Sequence, residues 1–127
     1  MAKQSEIVAA FIRLIEQTPK TYIAASMAVN TEDKLTSDLL HEIELDGKNC
    51  SIRSKTATRL RENRLDRRYY KDIVEELEPL YVFLSEKENM KVIKKLEQVL
   101  GKMRKAENYH ADRTYHPRVN RMELDGE

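Results

Sequence analysis

Arg53, Lys55, Arg59, Arg61, Arg64, Arg67, Arg68 and Lys71 crowd eight bases against only Glu62 and Asp66, and the run closes on Tyr69-Tyr70. Guanidinium forks fit phosphate oxygens and tyrosine rings stack on bases, so free cations here would do nucleic-acid chemistry. The opposing reading is that the acids of residues 30–46 neutralise much of the run while Tyr70 joins the core. Arg67, Arg68 and Lys71 lie beyond the reach of that acidic stretch. Together with Arg64 they form the basic patch expected to stay uncovered. Such a patch would contact phosphate rather than sequence and would bind with a steep salt dependence.

Other chemistry-bearing residues are sparse. His110, Asp112 and His116 are the one grouping with metal-ligand character, but zinc takes four well-placed ligands and this trio is one short, so no metal site is expected. Cys50 has Lys48 and Arg53 near it and no nearby histidine to activate it, so it reads as an ordinary thiol. His41 falls on an acidic segment, facing solvent or a carboxylate. The sequence holds no glycine-rich phosphate loop, HExxH or nucleophile elbow. The expectation is a protein that is not an enzyme and takes no cofactor. The segment Tyr109–Val119 interleaves aromatic, histidine and arginine residues with Pro117, types that supply contact area and forked hydrogen bonds at interfaces. Tyr109, Arg113, Tyr115 and Arg118 are its candidate partner-binding residues.

The elements that must carry these residues are helices. Charged residues make up 35% of the 127-residue chain and aromatics 6%, with three glycines, three prolines and no tryptophan, a composition favouring an all-α single domain. The net charge of +1 fits neither a DNA mimic nor a general nucleic-acid coater. The charge falls in blocks: residues 30–46 sum to −5, 53–71 to +6, 72–88 to −5 and 91–105 to +5. Reversals between unlike blocks would lay acid beside base, which predicts an elongated antiparallel helical bundle with two charge-complementary hairpins. The lone cysteine, the absence of an N-terminal apolar leader and the lack of a membrane-length apolar run predict a cytoplasmic protein.

Along the chain, Ser5 opens a helix whose wide apolar face holds Ile7, Val8, Phe11, Ile12, Leu14 and Ile15. Thr18-Pro19 is expected to break it. Asn30 or Thr31 would cap a second helix to about Asp46, with Leu35, Leu39, Leu40 and Ile43 inward. Gly47 would end that helix and Ser51 would cap a long helix to about Glu78, with Pro79 kinking or restarting it. Within that helix Asn63 falls on the apolar seam with Arg67 next: either a buried residue fixing register, or a helix emerging into solvent. Ser85-Glu86-Lys87-Glu88 reads as a capping box and a chain reversal. A last helix, about 88–109, would put Val92, Ile93, Leu96, Val99, Leu100 and Met103 inward and fold back on 51–78. Residues 1–109 form the helical domain and 110–127 an extended tail.

The segments Thr58-Arg59-Leu60-Arg61-Glu62-Asn63-Arg64-Leu65-Asp66-Arg67-Arg68, Glu78-Pro79-Leu80, Leu96-Glu97-Gln98-Val99-Leu100-Gly101 and Tyr115-His116-Pro117-Arg118-Val119 carry a resemblance. Over residues 51–119 the chain resembles small helical proteins encoded by phages and prophages of Gram-positive bacteria. The resemblance implies no catalytic residues, and a host cytoplasmic location. The resulting expectation is a non-enzymatic interaction protein, engaging a host or phage protein through its tail and basic helix. The alternative is a nucleic-acid-binding accessory protein using the patch in helix 53–71. A narrow bundle struggles to bury all its seams, and the sequence allows a homodimer.

Overall fold

A computed structural model describes residues 3–46 and 49–114, and within them the chain is an all-α helical bundle. Helix α1 spans Gln4–Asp46, α2 Cys50–Ser85 and α3 Lys87–Asp112. At a rise of about 1.5 Å per residue, α1 is a rod of about 65 Å.

α1 and α2 run antiparallel. Ile15 shares a core cluster with Leu84, the Tyr22 ring stacks on Tyr81 with centroids 4.1 Å apart, Asp33 meets Arg67, Thr36 meets Asn63, and Glu42 meets Arg59. The inward residues of α2 recur at seven-residue spacing in two interleaved rows. Thr56, Asn63, Tyr70, Leu77 and Leu84 make one, and Leu60, Arg67, Val74 and Tyr81 the other. α1 answers with Thr18, Ala25, Glu32 and Leu39, and with Ile15, Tyr22, Val29, Thr36 and Ile43. This repeat keeps one face of each rod toward the other over many turns. The first of the two expected charge-complementary hairpins is therefore present.

The break expected at Thr18-Pro19 does not occur, and α1 runs through Pro19. Thr18 is buried and its hydroxyl donates to the Leu14 carbonyl at 2.7 Å, while Ile15 and Tyr22 on either side pack against α2. Tertiary packing thus outweighs the single hydrogen bond that proline removes. Thr31 is likewise an interior residue, its hydroxyl donating to the Met27 carbonyl rather than capping a helix. α2 also continues through Pro79, which is exposed, so water can satisfy the Glu75 carbonyl that loses its partner. The α2 cap is Asn49 rather than Ser51: its side chain accepts from the Ser51 and Ile52 N–H groups.

The largest departure is at the far end. Ser85 is still helical, its hydroxyl bonded to the Tyr81 carbonyl, and Glu86 alone separates α2 from α3 in an extended conformation with no side-chain cap. A helical hairpin needs a loop of about two to five residues, and one residue cannot reverse the chain. α3 therefore does not fold back on 51–78. It carries on in the sense of α2, alongside the first turns of α1: Ile93 joins Ile15 and Leu84, and Glu107 reaches Ser5. Glu75, Glu76 and Glu78 consequently do not face Lys94, Lys95 and Lys102. Residues 110–112, expected in the tail, belong to α3, and residues 115–127 lie outside those described.

The core is thin. Ala9, Ile12, Ile15, Ala25, Leu39, Leu84 and Ile93 are its buried hydrophobic members among the described residues. Leu40, Val92 and Val99, all expected inward, are exposed: Leu40 lies beside the rows of α1, and α3 packs on α1 through Ile93 and Glu107 rather than on the 51–78 face expected to cover Val92 and Val99. Gly101 is exposed in the middle of α3, and a Cβ added there meets nothing within 4 Å. Gly101→Ala should therefore raise unfolding stability by roughly 0.5–1 kcal/mol, read as a higher urea midpoint at unchanged m-value.

Candidate interaction surfaces

The basic run divides by the side of α2 on which each residue falls. Arg67 occupies an inward position, is half-buried, and its Nε donates to the Asp33 carboxylate at 2.5 Å. It was expected to lie beyond the acidic stretch. The register of α1 against α2, however, sets Asp33, near the start of that stretch, level with Arg67. Arg59 pairs with Glu42 at 3.5 Å, one turn away from the Asp38 that the simplest fold-back would have offered. Lys71 is half-buried beside Ser26, Val29 and Asn30 of α1. Arg64 and Arg68 remain exposed and, among the described residues, form no ion pair; with Ala57, Leu60, Arg61 and Leu65 they line an open groove. The expected patch is thus reduced to Arg64 and Arg68, with Arg61 added. Tyr69 is exposed and meets the half-buried Tyr70 edge to face at 5.3 Å.

Asn63 is buried with only 2% of its surface exposed, which settles its two readings in favour of the seam. Its amide nitrogen has two protons and two acceptors: the Glu32 carbonyl at 2.9 Å and the Glu32 carboxylate at 2.6 Å. Its amide oxygen lies 2.6 Å from the Thr36 hydroxyl, whose single proton is shared with the Glu32 carbonyl at 2.9 Å. The side chain is fully partnered at one register of α1 against α2, and a slip would strand it. Asn63→Ala should cost about 2 kcal/mol of stability in denaturant titration, since it removes the bonds that the Glu32 carboxylate and carbonyl accept from the amide and the one the amide accepts from Thr36.

At the other end, Glu107 of α3 clasps the start of α1. Its carboxylate accepts from the buried Ser5 hydroxyl at 2.5 Å and from the Ser5 N–H at 3.3 Å, one of the donors a helix N-terminus leaves unpaired. The Ser5 hydroxyl, against the opposing effect of desolvation, holds the Glu107 pKa below the ordinary glutamate value; the Ser5 N–H, Lys3 and Arg104 assist. A depressed carboxylate pKa stabilises the fold above the unfolded value, and that contribution is lost as pH falls through the folded value. Carboxyl NMR titration should place Glu107 below the ordinary glutamate value, and Ser5→Ala should return it toward that value.

This clasp brings the first turns of α1 and the last turns of α3 to one end of the molecule. The apolar face of residues 7–15 splits there: Ile12 and Ile15 are buried, while Ile7, Phe11 and Leu14 are exposed, lying beyond the point where α2 stops covering α1. Tyr109 is 65% exposed, its ring 5.9 Å from that of His110. It shares an open groove with Asn108, Asp112, Arg113 and Thr114. Tyr115, His116 and Arg118 lie outside the described residues.

His41 is exposed and its Nδ1 lies 2.9 Å from the Ser37 carbonyl; Cys50 is exposed at the start of α2. Among the described residues no three His, Cys, Asp or Glu side chains are grouped to hold a metal ion, and no helix is long and apolar enough to cross a membrane. The Ser5–Glu107 clasp left no signal in the sequence, since the two residues are 102 positions apart and neither departs from ordinary helix composition. No family model matches the chain, and no curated protein or solved structure is similar to it.

Proposed function

We propose that the chain is a non-enzymatic interaction protein: a coiled-coil hairpin that engages a protein partner at the end where α1 begins and α3 finishes. The observation that carries this reading is the bare apolar stripe Ile7, Phe11 and Leu14 at the end of the molecule to which the Ser5–Glu107 clasp also brings the exposed Tyr109 and Arg113. Aromatic, apolar and arginine side chains on one surface are the composition of interface centres. Residues beyond 114, with Tyr115 and Arg118, continue the chain from this end. A phage-encoded origin and a host or phage partner in the cytoplasm extend the same proposal, in line with the resemblance of residues 51–119.

A second reading has its own observation: Arg64 and Arg68 are exposed beside Leu65 and Tyr69, a pairing of cations and rings that suits a phosphate backbone with stacked bases. The two readings part on salt and on nuclease. Tagged chain is used to capture partners from a Gram-positive lysate with and without nuclease. The expected result is one stoichiometric protein that survives nuclease and is lost both with Phe11→Asp and on truncation after Asn108. A spread of nucleic-acid-associated proteins that disappears with nuclease, and with Arg64→Glu/Arg68→Glu, would overturn it.

A further inference from the structure

The charge blocks of α2 are only partly used within the chain. α1 neutralises the basic block from the seam side, through Asp33 and Glu42, and the acidic block 72–88 loses its expected lysines because α3 runs onward instead of back. What remains is one continuous face on the side of α2 away from α1, at positions 57, 61, 64, 65, 68, 72, 75, 76, 79 and 83, recurring every three or four residues and exposed throughout. Its first half is basic on balance, through Arg61, Arg64 and Arg68 against Glu62, which falls in the same seven-residue row as Glu76. Its second half is acidic through Asp72, Glu75 and Glu76. Leu65 (59% exposed) sits in the basic half, and Val82 (53%) and Phe83 (49%) bound the acidic half.

A face that is basic at one end and acidic at the other is complementary to itself when turned end over end. We infer that this outer face of α2 binds a second copy of the chain, the two α2 helices lying antiparallel about a twofold axis near Lys71 and Asp72. That axis sets Arg68 opposite Glu75 of the second copy, brings Arg64 within a turn of its Glu76, and lays Leu65 about one turn from its Val82. Each contact occurs twice, as an isologous interface requires. A parallel pairing would stack arginine on arginine and acid on acid, so the charge order selects the antiparallel one. The surface is separate from the partner-binding end proposed above. Dimer formation would cover Arg64 and Arg68, removing the cations on which the nucleic-acid reading depends.

The test is sedimentation equilibrium on the full chain across micromolar concentrations, with variants at exposed positions that leave the Arg67–Asp33 and Arg59–Glu42 pairs intact. The wild type is expected to show a monomer–dimer equilibrium that weakens as salt rises. Arg64→Glu/Arg68→Glu leaves Arg61 as the one base of the first half and Glu75→Lys/Glu76→Lys leaves Asp72 as the one acid of the second, so each variant sets like charges opposite one another across the axis. Each alone should weaken self-association by about tenfold or more, since several pairs are reversed at once. Mixed in equal amounts, the two variants should form a heterodimer, and all four changes in one chain should restore the homodimer. Unchanged helical circular dichroism shows that each variant folds. A monomeric wild type at every concentration, a dimer that neither reversal weakens, or a mixture that stays monomeric would overturn the inference.

Discussion

The register of α1 against α2 hangs on one polar layer. Asn63 is the only α2 side chain in the middle of the seam that is both fully buried and fully hydrogen-bonded, and every partner it has belongs to Glu32 or Thr36 of α1. The neighbouring apolar layers are small or mixed: Ala25, Val29, Val74 and Leu60 tolerate a slide of one heptad with little loss. A slide would strand the buried Asn63 amide and take its nitrogen from the Glu32 carboxylate, while the Thr36 hydroxyl would fall back on the Glu32 carbonyl alone. The Arg67–Asp33 and Arg59–Glu42 pairs reinforce the same register from the flanks. Once that register is set, α2 ends opposite Ile15, and everything at the other end follows. α3 must start there, α1 projects beyond α2, and Ile7, Phe11 and Leu14 go uncovered.

Specificity obtained this way is traded against stability. A seam of leucines in place of Thr56, Asn63, Thr36 and Thr18 would bury more apolar surface and hold the rods more tightly, but it would permit several registers. The chain instead distributes polar groups along the seam and satisfies them locally. Threonine hydroxyls return to carbonyls one turn back at Leu14, Glu32 and Ile52. With so few buried hydrophobic residues, anything that bound the folded rod alone would stabilise it by mass action.

Periodicity made much of this readable beforehand. The inward place of Tyr70, the position of Asn63 on the seam and the acid-to-base pairing of the first hairpin all follow from spacing and charge. The sequence misled where a local signal had to be weighed against packing. Pro19 and Pro79 each remove one hydrogen bond, and neither ends its helix, because Thr18 and its neighbours are held by α2 and Pro79 lies in solvent. The capping box at Ser85–Glu88 was a false positive of the same kind, since Ser85 keeps its hydroxyl for Tyr81. That one misreading displaced the whole of α3 and with it the second hairpin. The surface at the free end was half legible: its apolar residues were evident, but which of them stay bare depends on where α2 stops.

The blocks of alternating charge take on a different meaning in this architecture. Four blocks folded into two hairpins would neutralise one another completely, leaving a rod with no electrostatic preference for anything. Because Glu86 deflects the chain without reversing it, only the first pair of blocks meets, and it meets on one side of α2 alone. The opposite side keeps its basic and acidic halves in sequence order. Charge of one sign at this density on an exposed helix carries a repulsion within each half that salt screens and that an oppositely ordered surface would relieve. The same single-residue break therefore creates both exposed features of the molecule: the bare apolar end beyond α2, and the two-signed outer face along it.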